Sequence, residues 1–263
     1  MPDISEVQDV RIARRDSVLE ITIDRPQRRN ALNPHVMQGI AEGLAQAVAD
    51  RTVRVIVLTG EGDRAFCAGA DLSTGTAAFS YAYHEQQLPF ANLLRQAHQV
   101  DLPLIARVNG ACMAGGMGLL GMCDFAVAAD HAIFGLPEVK IGMFPMQVLS
   151  VLQPLLRPRD LAELCITGEP VDAATARTIG LVNHVVPLAE LDAKVAWLVD
   201  RIAGKSPTAV RRGKYALRAI ASMNFEQAIA FTESQIGLAV RTEDAHEGVA
   251  AFNEKRPAVW TNR

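Results

Sequence analysis

The sequence predicts an α/β protein, with a mostly parallel sheet core in residues 1–205 and a helical region in 206–263. Three observations carry that prediction. Short β-branched runs alternate with stretches of helical periodicity, and such alternation implies crossover connections between parallel strands. An uncharged, glycine-rich segment from Gly110 to Cys123 reads as a buried turn and helix. From Ser206 onward no strand pattern is present, and that stretch is too short to build a core of its own, so it must pack on the α/β body or on another subunit.

The elements follow in order. Val18 to Asp24 alternates and is β-branched, which predicts a strand, with Asp9 to Arg14 as its hairpin partner. Asn33-Pro34 supplies a cap and a first helical residue. The apolar stripe Met37, Ile40, Leu44 and Ala47 or Val48 then continues at helical spacing. Val53 to Thr59 is a more buried strand, and a long loop is expected from Gly60 to Ala70. A helix is expected over about Tyr83 to Gln99, with further strands at Leu104 to Val108, Phe125 to Ala129 and Leu181 to Val186. In the helical region, Ser206-Pro207 caps one helix, Asn224 or Phe225 starts a second, and Thr242-Glu243-Asp244 starts a third.

Composition narrows the function. Of 263 residues, 49% are hydrophobic and 21% charged, and 26 basic against 29 acidic residues leave a formal charge of −3. That excludes a disordered chain and argues against a bulk nucleic-acid binder, which needs a basic excess. The four cysteines (Cys67, Cys112, Cys123, Cys165) have no CxxC spacing and form no disulfide framework, so a reducing cytoplasm is expected. The opening MPDISEVQDVRIARRD has early acids and no apolar run, so no secretory leader is expected. The apolar stretch around Gly110 to Ala129 does not read as a membrane span, because Asp124 interrupts it and five glycines (Gly110, Gly115, Gly116, Gly118, Gly121) lie inside it.

The six histidines are scattered, with no HExxH or Cys/His cluster, so no metal site is expected. There is no GxxxxGK[ST] loop and no GxSxG elbow. Gly116 to Gly121 does fit GxGxxG, with Glu138 twenty residues after Gly118. A nicotinamide-dependent oxidoreductase is therefore one alternative, although the preceding strand is expected to end too early, near Val108. Close backbone approach is the plainer account of those glycines. Two small-residue turns form a stronger constellation: Phe66 to Leu72, and Asn109-Gly110 to Gly118. Each follows a strand and precedes helical sequence. Such turns leave backbone N–H groups bare, and two donors converging on one point can stabilise an oxyanion. Tight turns beneath a packed helix would use the same residues.

Five stretches, in order, resemble the crotonase family, also called the enoyl-CoA hydratase/isomerase superfamily. They are DRPQRRNALN (Asp24 to Asn33), AFCAGADL (Ala65 to Leu72), VNGACMAGGMGLLGMCDFAVAAD (Val108 to Asp130), FGLPEVKIGMFP (Phe134 to Pro145) and AFNEKRPAVW (Ala251 to Trp260). The resemblance implies a spiral of ββα units, a helical C-terminal trimerisation region, and homotrimers or dimers of trimers. It implies an acyl-CoA thioester as substrate, with coenzyme A entering as part of that substrate and no resident cofactor, nucleic acid or membrane as partner. By motif position the oxyanion donors are the N–H groups of Ala70 and Gly115. The family's hydratases use two glutamates: the second falls on Glu138, and the first falls on Gly118, where it is missing. One carboxylate suits double-bond isomerisation; hydration stays open if another group, such as Gln147, holds the water. Substrate binding is expected from Arg28, Arg29 and Ala31, from the turn of Ala68, Asp71 and Leu72, and from Gly116, Gln147 and Lys255. Lys255 and its neighbour Arg256 are expected to reach a neighbouring subunit's site. The far end of the acyl pocket is expected around Ala77 to Phe90 and the C-terminal helices. A non-catalytic acyl-CoA-binding protein of this fold is a further alternative.

Overall fold

A computed structural model of the chain describes residues 4–7, 9–73, 75 and 88–263. Two sheets organise them. The larger is built from β1 (Ile4–Val7), β2 (Val10–Arg15), β3 (Val18–Ile23), β4 (Val55–Gly60), β6 (Leu104–Val108), β8 (Phe125–Ala129) and β11 (His184–Val186), side by side in that order. Its first three strands form an antiparallel meander, and every later pairing is parallel. The smaller sheet has the order β10 (Val171–Asp172), β9 (Ile133–Gly135), β7 (Ala111–Met113), β5 (Ala65–Cys67). Three times in succession the chain runs one strand in the large sheet and the next in the small one: β4 then β5, β6 then β7, β8 then β9. Helices α2 (Pro89–Gln99), α3 (Gly115–Gly121) and α4 (Met146–Leu152) follow these pairs, giving the expected spiral of ββα repeats.

The large sheet is covered on both faces, which explains its near-continuous hydrophobic runs. Ile56 and Leu58 of β4, Leu104 and Ala106 of β6, and Ala126 and Ala128 of β8 face the main core. Val55, Val57, Ile105 and Val127 alternate onto the opposite face, where α7 (Leu191–Ala203) brings Leu191, Val195 and Leu198 against them. Helix α1 (Pro34–Ala49) starts as expected: the Asn33 side chain accepts from Val36 N at 2.8 Å. Its buried stripe is Val36, Ile40, Leu44 and Ala47, while Val48 is exposed.

The structure corrects several expected bounds. The hairpin partner and first strand end within a residue of expectation, but Gly60 to Ala70 is no plain loop, since it contains β5. Likewise β7 intervenes after Val108, so a strand does end just before α3. The expected helix over Tyr83 to Gln99 begins at Pro89, because Leu88 is extended (ψ 142°), as a residue before proline must be; residues 83–87 lie outside the described residues. The strand at Leu181 to Val186 is only β11, because the chain up to Val182 is bonded back to Ala176 O at the end of α6 (Ala173–Thr178). Past α5 (Pro158–Thr167) and α7, the helical region consists of α8 (Pro207–Ile220), α9 (Phe225–Ala239) and α10 (Glu243–Glu254), capped by Ser206, Asn224 and Thr242 as the sequence indicates. No helix among the described residues is long and apolar enough to cross a membrane.

Candidate active site

Two turns meet where the small sheet ends. The first follows β5. Leu32 N donates to Gly69 O at 2.7 Å, and Asp71 N donates to Leu32 O at 2.8 Å. This short parallel bridge leaves Ala70 N, between them, facing away. The second follows β7, where Ala114 has φ 50° and ψ −120° and starts α3 at Gly115. That left-handed conformation strains a residue with a Cβ, and it turns the chain so that Gly115 N lies outside the strand ladder. Gly69 has φ +94°, and a Cβ there would lie 2.6 Å from Ala114 Cβ and 3.3 Å from Gly115 N. A Cβ on Gly115 would lie 3.8 Å from Ala70 N. The two turns therefore touch through atoms that only glycine allows. Among the described residues neither Ala70 N–H nor Gly115 N–H donates a hydrogen bond within the protein. Two free donors thus sit together, able to converge on one acceptor.

Buried amides hold the turns in place. Asn30 Nδ2 donates to Ala65 O at 2.6 Å and to Glu61 O at 3.0 Å. Asn109 Nδ2 donates to Gly62 O at 2.7 Å, while its Oδ1 accepts from Gly60 N at 3.3 Å. Arg25 donates to Ala31 O at 2.7 Å and to Asp71 Oδ2 at 3.0 Å. The Asp71 carboxylate is pulled down to about 2, first by hydrogen bonds from Ser73 and then by Arg25. Asp71, expected among the binding residues, thus has its carboxylate committed to fastening the 68–72 turn onto the 25–31 loop. The sequence marks Asn109 only as the start of the second turn, and gives no sign of the parts played by Asn30 and Ala114. Their roles arise from contacts with residues distant in the chain or from backbone conformation.

Glu138 enters from β9, the strand paired with β7, in the short 3₁₀ turn Pro137–Ile141. It is half-buried, and its Oε2 is sealed from solvent with no hydrogen-bond partner among the described residues. Lys140 is turned away onto Glu169 at 2.8 Å. Burial pushes the Glu138 carboxyl above its ordinary value, and Glu138 in turn raises the buried Cys165 thiol behind it, after desolvation of that thiol. At Gly118, where the family's first glutamate is missing, the space is filled: a Cβ there would lie 2.8 Å from Phe90 Cζ and 2.8 Å from Val148 Cγ1.

The remaining glycines of the GxGxxG run lie inside α3 rather than in a phosphate-facing turn. A Cβ on Gly116 would lie 2.3 Å from Cys67 O, and one on Gly121 2.9 Å from Val151 Cγ2. Close packing accounts for all three, and the dinucleotide alternative loses its structural basis. Gly116, expected to bind substrate, is a buried packing residue. Cys67 is buried, and desolvation pushes its thiol up to about 12, which opposes formation of a thiolate.

Ala68 is partly exposed beside Ala70, Leu72 is exposed at the end of the same turn, and Ala31 is buried beneath it. Arg28 and Arg29 are exposed on the adjoining loop, with Arg29 left-handed at φ 50°. Neither has a carboxylate partner among the described residues, whereas Arg25 is engaged inside. Gln147 is partly buried at the start of α4. Lys255 is exposed and closes α10 in a left-handed conformation. Arg256 is committed to Glu247 and Glu254 at 2.6 Å each. Among the described residues, no hydrogen bond or ion pair joins these two to the turns. Of the expected acyl-pocket segment, Ala77 to Phe90, residues 77–87 lie outside the described residues, while Phe90 is partly buried and packs against the main core.

A ββα spiral with a helical C-terminal region is a crotonase-type architecture, and solved structures share it over nearly the whole chain. An enoyl-CoA hydratase from Mycobacterium smegmatis superposes with a TM-score of 0.90 at 32% identity, covering 96% of this chain and 98% of that one. The enoyl-CoA hydratase/isomerase family model matches residues 13–263. The crotonyl-CoA hydratase of Syntrophomonas wolfei is 32% identical over 97% of this chain and 99% of its own length. The carnitinyl-CoA dehydratase of Escherichia coli K12 is 34% identical over the same shares of the two chains. The chain belongs to the enoyl-CoA hydratase/isomerase family and is an enzyme of that family.

Proposed function

We propose that this protein is an enoyl-CoA isomerase that moves a double bond from the 3 to the 2 position of an acyl-CoA thioester. The observation that carries the reading is the meeting of two unpaired N–H groups, Ala70 and Gly115, at the end of the small sheet from which Glu138, with its orphaned buried oxygen, also leaves. The thioester oxygen accepts from both N–H groups. Glu138 removes a proton from C2, and the electron pair of that C–H bond passes through the carbonyl carbon to the oxygen, forming a dienolate. Returning the same proton to C4 leaves the double bond between C2 and C3 and restores the carboxylate. Each oxyanion donor contributes about 3 kcal/mol to the transition state. The step is redox-neutral and its proton balance closes on Glu138, so it calls for no resident cofactor. Arg28 and Arg29 are suited to the phosphates of coenzyme A, and Ala31, Ala68 and Leu72 to the pantetheine path, while Lys255 reaches the site of a neighbouring subunit in a trimer or dimer of trimers.

Hydration would need a second group to hold water, and the position of the missing glutamate is occupied by Phe90 and Val148. The test is direct: supply the purified protein with 3-enoyl-CoA and with 2-enoyl-CoA, and follow the absorbance of the conjugated thioester. Turnover of the 3-enoyl substrate is expected to exceed hydration of the 2-enoyl product. Rapid hydration with the 3-enoyl substrate untouched overturns the reading and makes Gln147 the residue to examine next.

A further inference from the structure

We propose that Phe90 and Val148 are specificity-determining residues, forming a dry apolar plug over Gly118 that keeps water from the dienolate and commits it to reprotonation. The proposal rests on the isomerase reading above and explains how one site within a family of hydratases and isomerases is restricted to one outcome.

The argument starts from chain positions. β7 and β9 are paired in parallel, with Met113 opposite Gly135, so the segments leaving them run out at the same end of the small sheet. One segment carries Gly115 and Gly118, the other Glu138. The active carbons of a thioester held by Ala70 N and Gly115 N must lie between these segments to meet Glu138. The direction of a side chain at 118 is defined by the backbone of α3, and along it stand Phe90 Cζ and Val148 Cγ1 at 2.8 Å, with Phe90 Cε1 at 3.2 Å. As the side chains stand, Phe90 and Val148 fill the position a side chain at 118 would take.

The plug has two independent sources. Phe90 comes from the first turn of α2, and Val148 from α4, where it is fully buried. α4 lies along α3, with Gly121 one turn on received by Val151 and Leu152 in the same way. At Gly118 and Gly121, the side of α3 that faces α4 is therefore glycine meeting hydrocarbon. Neither plug residue offers a water a donor or an acceptor, and a water without partners against such a surface is unfavourable. Adding water across C2 and C3 puts a hydroxyl on C3 and a hydrogen on C2, so excluding it closes that branch while leaving proton return by Glu138 intact.

The plug predicts a labelling pattern. In D₂O, proton transfer shielded from solvent delivers the substrate's own hydrogen from C2 to C4, so the isomerised product carries little deuterium at C4. Opening the plug lets water exchange with the proton on Glu138 and attack C3. The variants Phe90→Leu, Phe90→Ala and Val148→Ala are compared with the unchanged protein for deuterium at C4, measured by mass spectrometry, and for hydration of 2-enoyl-CoA. Acyl-CoA affinity and far-ultraviolet circular dichroism report that each variant is folded; the Leu and Val→Ala changes are conservative enough to keep the test open if Phe90→Ala does not fold. Deuterium at C4 is expected to rise in every folded variant. The ratio of hydration to isomerisation is expected to rise about tenfold, the scale on which small changes in pocket shape alter discrimination. Folded variants that isomerise with unchanged label and unchanged ratio overturn the plug while leaving the isomerase reading standing. An unchanged protein that ignores 3-enoyl-CoA removes both.

Discussion

A carboxylate oxygen cut off from water and lacking a hydrogen-bond partner favours its protonated form. Glu138 is in that position, and its pKa is raised by burial. Two consequences separate its proposed chemistry from its effect on stability. As a base it must be ionised, so the acid limb of kcat/KM against pH is expected above the ordinary glutamate value of 4.5. Glu138→Gln is expected to lower turnover by about 10²–10⁴-fold with acyl-CoA binding little changed; unchanged turnover removes the role. For stability the sign is opposite to that of a salt-bridged carboxylate. The folded pKa is raised, so the contribution is fully present below the ordinary value and is lost as pH rises through the folded one. Glu138→Gln is therefore expected to unfold at a higher temperature than the unchanged protein at about pH 8, with the difference fading towards about pH 4, where both states hold the proton. Equal melting temperatures across that range would show that Glu138 is well solvated.

At the scale of elements, the site depends on two turns held in contact. Gly69→Ala sets a Cβ 2.6 Å from Ala114 Cβ at a φ of +94°, so both space and backbone oppose it. A cost of about 1–3 kcal/mol in stability is expected from the backbone conformation alone. Ala70 N and Gly115 N would also be pushed apart, so kcat is expected to fall more than acyl-CoA affinity. A variant that loses stability but keeps kcat would show that the turns are scaffold only. The same elements mark what the sequence makes legible. β3 and β4 could be read because long alternating or buried runs carry periodicity, and α1 because Asn33-Pro34 marks its start. β5, β7, β9 and β10, at two or three residues each, are too short to show a period, so the small sheet that carries the site escaped detection. The positions of Ala70, Gly115 and Glu138 came from family resemblance, whereas spacing alone left tight turns beneath a packed helix as an alternative. The contacts of Asn30, Asn109 and Phe90 were illegible for a different reason, although the sequence marks Asn109 as a turn residue and Phe90 as the end of the expected acyl-pocket segment: each acts through residues far away in the chain, and no local pattern records such a contact.

Across the whole molecule, the helical region is fixed to the body on one side and apolar on the other. Lys214 of α8 donates to Leu102 O at 2.7 Å and to Asp124 Oδ2 at 2.6 Å, and Arg218 donates to Val100 O at 3.0 Å. Asp244 of α10 is buried, accepting from Ser206 Oγ and from Thr261 N at 2.8 Å each, which ties the last residues to the start of α8. These anchors set the helices in a definite orientation, with Leu217, Phe225, Ile236, Val249 and Phe252 exposed on their outer faces. Phe252 is 84% exposed and Phe225 76%, which is costly for large side chains on rigidly docked helices unless a second copy covers them. A trimer or a dimer of trimers is therefore expected by light scattering at micromolar concentration, and a monomer there refutes it. The subunit contact can be separated from the fold because these side chains make little contact within their own chain. Phe225→Glu with Phe252→Glu is expected to release folded subunits of unchanged helix content, with a melting temperature that no longer rises with protein concentration. If Lys255 reaches a neighbour's substrate, the dissociated variant should also bind acyl-CoA more weakly while its Glu138 pH limb stays in place. Weaker binding together with a shifted limb would mean instead that dissociation disturbs the proton-transfer site itself.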